Sequence, residues 1–225
     1  MATDSGARLG RLLGYRFADP ALAAAALVHR SVGGASNERL EFLGDAVIAL
    51  AVAEWLYMRH PDLAEGDLTR LRASLVKRDS LAGLARELDL GSLIELGDGE
   101  RRSGGSARRS ILEDSLEAAV GAVFLDGGYD AAREVMHRLF ADRFANLPDA
   151  ESLKDAKTRL QERLQARGLA LPDYALVATQ GPEHARCFEV ECRIEARGLA
   201  ATGAGASKRA AEQAAAAAAL ALLDH

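Results

Sequence analysis

The stretch Asn37–Val47 reads NERLEFLGDAV and runs into Ile48–Ala53, the most apolar helical segment of the chain. At about 100° per residue, Glu38, Glu41 and Asp45 fall within a roughly 60° arc of one helix surface. Asp45 is the single charged residue between Glu41 and Glu54. A charge in such surroundings is costly to desolvate unless another charge compensates it. This one helix therefore asks for a core on one side and a source of positive charge close by.

A second helix, expected over Ile111–Leu125, repeats the pattern. Asp114 and Glu117 are three residues apart and share a face, and the run Ala118–Leu125 carries no charge until Asp126. Helix N-termini stabilise anions by only about 0.3–1 kcal/mol each, too little to gather Glu41, Asp45, Asp114 and Glu117 in a desolvated site. Either some are protonated or a divalent cation joins them. An all-oxygen donor set without His or Cys points to Mg²⁺, with Mn²⁺ as a substitute. The plainer reading, a solvated surface acid, suits Glu54, Glu87, Glu95 and Glu134. It suits Asp45 and Glu117 poorly, because their helix neighbours are apolar on nearly all sides.

Around these helices the chain divides in two. No strand-like alternation precedes about residue 173, so an all-α first unit is expected over residues 1–145. Its helices are read at Arg8–Leu13, Asp19–Val28, from Asn37 as N-cap to about Arg59, from Glu65 through Val76, from Asp79 or Ser80 to Leu88, Ile111–Leu125 and Asp130–Phe144. The Gly- and Arg-rich segment 97–110 reads as a loop. Residues 146–153 form a linker around Pro148. Residues 154–225 then follow an α-β-β-β-α order, with strands read at Tyr174–Thr179, Arg186–Ala196 and Gly198–Gly203 and a final Ala-rich helix capped by Ser207.

Net charge is −5, and residues 151–225 hold ten Lys+Arg against ten Asp+Glu, so the whole deficit lies in the first 150 residues. A bulk basic field is thus not what would recruit a polyanion. Cys187 and Cys192 have opposite strand parity and are read as free thiols of a reducing compartment. The N-terminus lacks a signal-peptide apolar core and no run is long enough to span a bilayer, which gives the expectation of a cytoplasmic protein without membrane attachment.

The stretch NERLEFLGDAV resembles the signature of bacterial ribonuclease III. LVHRS at 27–31, EGDLTRLRASLV at 65–76, GDGERRSGG at 97–105 and SILEDSLEAAVGAVFLD at 110–126 resemble the family's further blocks, in its order. The resemblance implies a Mg²⁺-dependent endonuclease for double-stranded RNA that leaves 5′-phosphate and 3′-hydroxyl ends with short 3′ overhangs. Its expected targets are precursors of ribosomal, messenger and transfer RNA. Glu41, Asp45, Asp114 and Glu117 match metal-binding carboxylates, Asp45 and Glu117 being those named as catalytic. Glu38 and Glu65 match supporting acids of the catalytic valley, and Phe42 matches a residue of a homodimer interface, where ordinary core packing is the plain alternative.

Arg101, Arg102 and Arg108 lie in the block whose family role is phosphate contact. Ser106, Arg109 and Glu113 depart from the residues the family commonly has. Glu113 is read as lying off the Asp114/Glu117 face, with modest consequences but able to perturb the local field. The C-terminal unit resembles a double-stranded RNA-binding domain in KTRLQERL (157–164), Gly181-Pro182-Glu183-His184 and GAGASKRAA (203–211). By that match Thr158, Gln161 and Glu162 face one minor groove and His184 the next, while Lys208 and Arg209 hold phosphates. Ala210 replaces a commonly basic residue, so weak, salt-sensitive binding by this unit alone is expected. Two other readings exist: an RNA-binding scaffold with a degenerate nuclease unit, and a helical dimer with merely structural acids. The presence of all six acids argues against both.

Overall fold

A computed structural model of the chain describes residues 2–182 and 185–223, the side chains of residues 2–4 excepted. It divides into two compact units, Met1–Glu151 and Ser152–His225, each taken here by itself.

The first unit is helical: α1 (Ala2–Leu13), α2 (Pro20–Ala25), α3 (Glu38–Arg59), α4 (Glu65–Val76), α5 (Arg78–Glu87), α6 (Asp98–Arg102), α7 (Arg109–Leu139) and α8 (Ala141–Ala145). Its most extensive packing is α3 on α7, followed by α5 on α7. Val47, Ile48, Ala51 and Val52 of α3 and Leu116 and Ala118–Val123 of α7 are almost wholly buried there, and a fully buried Val or Leu contributes about 1.5–3 kcal/mol. Beyond them, Trp55 stacks on Phe144 with ring centroids 3.9 Å apart.

Several local expectations change. Helix α1 starts at Ala2, two turns before its first apolar anchor Leu9. Asn37 stands at the start of α3 but does not cap it: its amide donates to the Ala26 carbonyl at 3.2 Å, and its backbone N–H to Val28 O at 2.9 Å. Helix α5 begins at Arg78 without a side-chain cap, so neither Asp79 nor Ser80 serves as one. The segment 97–110 is not a bare loop. It holds α6, whose first turn is acidic (Asp98, Glu100) and last turn basic (Arg101, Arg102), the arrangement that complements the helix dipole.

The expected boundary at Asp126-Gly127-Gly128 is a kink, Gly128 adopting φ 78° and ψ −174° within α7. It is pinned by the Asp126 carboxylate, which accepts hydrogen bonds from the Tyr15 hydroxyl and the Ala18 and Asp19 N–H groups, each at 2.8 Å. A single parallel bridge, Val28 to Glu95, is the one piece of β pairing among the described residues of this unit.

The second unit contains α9 (Ala156–Ala166), β1 (Asp173–Gln180), β2 (Cys187–Ile194), β3 (Leu199–Gly205) and α10 (Lys208–Leu223). The strands form an antiparallel sheet in the order β1-β2-β3. Leu160 and Leu164 of α9, Val190, Cys192 and Ile194 of β2, and Ala211, Ala215, Ala216 and Ala219 of α10 make its core. The alanines let α10 lie close on the sheet: a Cβ at Gly203 would overlap the Ala215 backbone nitrogen. Cys192 is buried and Cys187 exposed, both free, as their parity requires. Ser207 does cap α10, accepting from Ala210 N–H at 3.1 Å, and Asp155 caps α9 through Thr158 N–H at 2.8 Å.

Candidate metal centre and RNA-facing residues

The geometry begins with two glycines. A Cβ at Gly44 would overlap the Glu117 carbonyl, 2.5 Å from its carbon, and one at Gly121 would overlap the Leu40 carbonyl and stand 3.1 Å from the Gly44 nitrogen. Helices α3 and α7 thus cross backbone on backbone, which only glycine permits at these positions. The crossing sets the turn carrying Glu41 beside the turn carrying Asp114 and Glu117. One carboxylate oxygen from each of Glu41, Asp114 and Glu117 lies within 4.8 Å of the others.

Glu117 is buried, at 7% exposure, while Glu41 and Asp114 are half-buried. Burial first, then the charges of Asp45, Glu113, Glu41 and Asp114, push the Glu117 carboxyl up to about 8. Burial, then Asp114, Glu38 and Glu113, raise Glu41, against Arg30. Burial and Glu113 raise Asp114, against Arg78, His29 and Arg30. Negative charge is therefore concentrated here beyond what nearby side chains neutralise. An all-oxygen donor set in that condition fits a hard divalent cation.

Asp45 is exposed, contrary to the sequence reading that its helix neighbours enclose it. It is not among the three clustered groups, although it is the strongest charge acting on Glu117. The reason is that α3 has two apolar faces, and only one packs on α7. The other shows Phe42 at 81%, Leu50 at 55% and Tyr57 at 70% exposure, so Phe42 is not core, and the acids lie along the seam between the two faces. Glu38 sits at the rim, accepting from Ser36 Oγ at 2.8 Å with Arg30 at 3.6 Å. It lines a small pocket with His29, Arg30, Asn37, Glu41 and Asp114. Glu65 is elsewhere: at the start of α4 it accepts from Thr69 Oγ1 at 2.8 Å and lines a separate groove with Ala53, Tyr57 and Arg72.

Glu113 acts through the local field. Its side chain is 12% exposed and forms an ion pair with Arg78, and its charge acts on Glu41, Asp114 and Glu117 alike. Arg109 pairs with Asp79 at 2.8 Å. Two of the departures noted in the sequence, Arg109 and Glu113, thus meet partners in the first turn of α5, some 30 residues away. The other arginines of the segment are partly engaged: Arg101 donates to Leu96 O at 2.7 Å, and Arg108 pairs with Glu100 at 2.8 Å. Arg102 is exposed with no ion pair among the described residues.

In the second unit Gln161, Glu162, Lys208 and Arg209 are exposed and Thr158 half-buried. Glu162 pairs with Lys154 at 2.6 Å. His184 lies outside the described residues. The residues that sequence reasoning missed are Gly44, Gly121 and Arg78. For the glycines the signal was present, since a helix-interior glycine costs about 1 kcal/mol relative to alanine and calls for a packing reason.

Residues 19–143 match the family model described as "Ribonuclease-III-like", and residues 156–223 match the double-stranded RNA binding motif. Ribonuclease 3 of Nitrosococcus oceani is 51% identical over 98% of this chain and 96% of that protein. The chain belongs to the ribonuclease III family. Ribonuclease 3 of Bordetella avium is 55% identical over 93% of this chain and 84% of its own length. Among solved structures, the nuclease domain of ribonuclease III from Campylobacter jejuni superposes with a TM-score of 0.60 at 43% identity, covering 62% of this chain and 98% of that one. This ribonuclease III family chain is an endoribonuclease with a helical nuclease unit followed by a double-stranded RNA-binding unit. No helix among its described residues is long and apolar enough to cross a membrane.

Proposed function

We propose that the chain cleaves double-stranded RNA in a Mg²⁺-dependent reaction, using Glu41, Asp45, Asp114 and Glu117, and that it works as a homodimer. The observation that carries this reading is the convergence of Glu41, Asp114 and Glu117 oxygens within 4.8 Å at the glycine crossing of α3 and α7.

Glu41, Asp114 and Glu117 hold the cation. Asp45, exposed and acting by its charge on Glu117, would orient the attacking water. Mg²⁺ held there would supply Lewis-acid stabilisation of the transferring phosphoryl group and lower the pKa of water at neutral pH. Its charge also offsets the repulsion that raises Glu117. Glu38 and Arg30 form the rim of the valley. No side-chain nucleophile is needed: the oxygen of water bonds to phosphorus as the bond from phosphorus to the 3′ oxygen breaks and that oxygen takes a proton, so the products carry 5′-phosphate and 3′-hydroxyl ends. A dimer with one site per strand leaves short 3′ overhangs.

The α3 face with Phe42, Leu50 and Tyr57 supports the dimer, being too apolar to stand naturally in water. The Campylobacter jejuni nuclease domain has a region involved in dimer formation. In a dimer Glu65, remote from the cluster of its own chain, serves the shared valley. Exposed Gln161, Glu162, Lys208 and Arg209, with Thr158 and His184, read the A-form duplex, and Arg101, Arg102 and Arg108 contact phosphates near the nuclease unit. Substrates are ribosomal RNA precursors and some messenger and transfer RNA precursors, in the cytoplasm.

The test is a long RNA duplex incubated with Mg²⁺ or with EDTA, beside a single-stranded control. Expected is cleavage of the duplex alone, and only with Mg²⁺. Duplex that is bound but left intact in Mg²⁺ sinks the proposal.

A further inference from the structure

We propose that Arg78, held in place by Glu113, contacts a backbone phosphate of the RNA duplex at the rim of the carboxylate cluster, a role that rests on the function proposed above. Two observations lead there. The first is the asymmetry of the ion pair. The Glu113 side chain is 12% exposed, whereas Arg78 is 65% exposed. A pair serving only the fold would gain little from so open a guanidinium, since exposed ion pairs contribute little to stability. Arg78 uses its Nε to bind Glu113 and makes no other hydrogen bond among the described residues. Its two terminal amino groups remain available, and they form a flat pair of donors suited to phosphate oxygens.

The second is location. Arg78, at the start of α5, is paired with Glu113, the residue immediately before Asp114 in α7. The guanidinium therefore stands next to the cluster, at the α5 side, where its charge acts on Asp114. A polyanion approaching Glu41, Asp45, Glu113, Asp114 and Glu117 meets like charge, and a fixed cation at that edge lowers the barrier to docking and sets the register of the backbone. Glu113 keeps the long side chain from sweeping through solvent, so less side-chain entropy is lost when the phosphate binds.

The neighbouring rung, Arg109 to Asp79, supplies the control. Both rungs join the first turn of α5 to the first two turns of α7, so a purely structural role would be shared by both. Arg78→Ala, Arg78→Lys and Asp79→Ala are prepared in the full-length chain. Cleavage kinetics are measured on a defined duplex, and binding by fluorescence anisotropy across a salt series in the presence of Glu117→Gln, which prevents turnover. Expected for Arg78→Ala is a rise in KM of about fivefold or more with kcat nearly unchanged, and a salt slope shallower by about one. Arg78→Lys keeps the slope and recovers part of the KM. Asp79→Ala matches the wild type in both. A wild-type KM and slope in Arg78→Ala, or the same defect in Asp79→Ala, overturns the proposal. If the wild type itself leaves duplex RNA uncut in Mg²⁺, the failure belongs to the function proposed above, and the salt slope of binding still decides the role of Arg78.

Discussion

Replacing Gly44 by alanine tests the glycine crossing on which the site depends. The added Cβ would lie 2.5 Å from the Glu117 carbonyl carbon and 3.0 Å from the Gly121 nitrogen, where ordinary contacts begin at 3.4 Å. All these obstacles are backbone, so no side-chain rotation relieves them, and α3 and α7 must part by about 1 Å. Overpacking of this kind costs about 1–3 kcal/mol, offset by at most about 1 kcal/mol of helix propensity. For a unit of this size each kcal/mol moves Tm by about 2–4 °C.

The larger effect is expected on chemistry, because the parting separates Glu41 from Asp114 and Glu117, and a 1 Å misplacement costs on the order of 100-fold in rate. Calorimetric Tm and duplex cleavage are measured together, with Gly83→Ala as the control. At Gly83 an added Cβ meets only the end of Arg143, at 3.7 Å, so that variant should be as stable as the wild type or slightly more so and fully active. Full activity and unchanged Tm in Gly44→Ala would refute the argument that backbone contact sets the carboxylate cluster.

Four further expectations follow from the same structure. In EDTA, Glu117 is raised to about 8 by burial and like charge, so the metal-free protein should lose stability as pH rises from about 4.5 through 8; urea titrations of Glu117→Gln should lack that decline, and a parallel decline would count against the burial of Glu117. Burial would raise Asp126, but hydrogen bonds from Ala18, Asp19 and Tyr15 hold it below the usual carboxylate range. Its stabilisation is therefore present above the unfolded value near 3.9 and lost as pH falls through the lower folded value; Asp126→Asn should cost about 1–2 kcal/mol at pH 7 by urea unfolding and progressively less towards pH 3. Phe42→Glu places a charge on the exposed apolar face of α3 and should shift sedimentation towards monomer, whereas an unchanged dimer would remove that face from the interface. Lys208→Ala with Arg209→Ala should weaken duplex binding across unrelated sequences and reduce the salt slope by about two.

Much of the fold was legible because its signals are local. Long apolar runs without strand-like alternation mark α3 and α7, a one-sided apolar period marks α9, and two-residue alternation marks β2. Helix α1 was read short because its apolar signal begins only at Leu9, and α6 was hidden by the glycine content around it, although its charges are ordered as a helix end requires. The carboxylate pattern was legible from spacing and from the family resemblance. What spacing could not give was which face of α3 is covered, so Asp45 was read as enclosed when it is exposed. Nor could it give long-range partners: Glu113 sits beside Asp114 in sequence, but its effect depends on Arg78, 35 residues away. Asn37 shows the same limit, since a residue well suited to capping went instead to the Ala26 carbonyl just past the end of α2.

The most direct measurement is divalent-cation binding to the RNA-free protein, followed by calorimetry or by the electron paramagnetic resonance of Mn²⁺ at pH 7.5. The wild type is expected to bind the ion, with Mg²⁺ competing for the same site, and Glu117→Gln and Asp114→Asn to bind it far more weakly while keeping their fold by circular dichroism. Equal Mn²⁺ affinity in wild type and in both variants would contradict the assignment of Glu41, Asp114 and Glu117 as the metal centre.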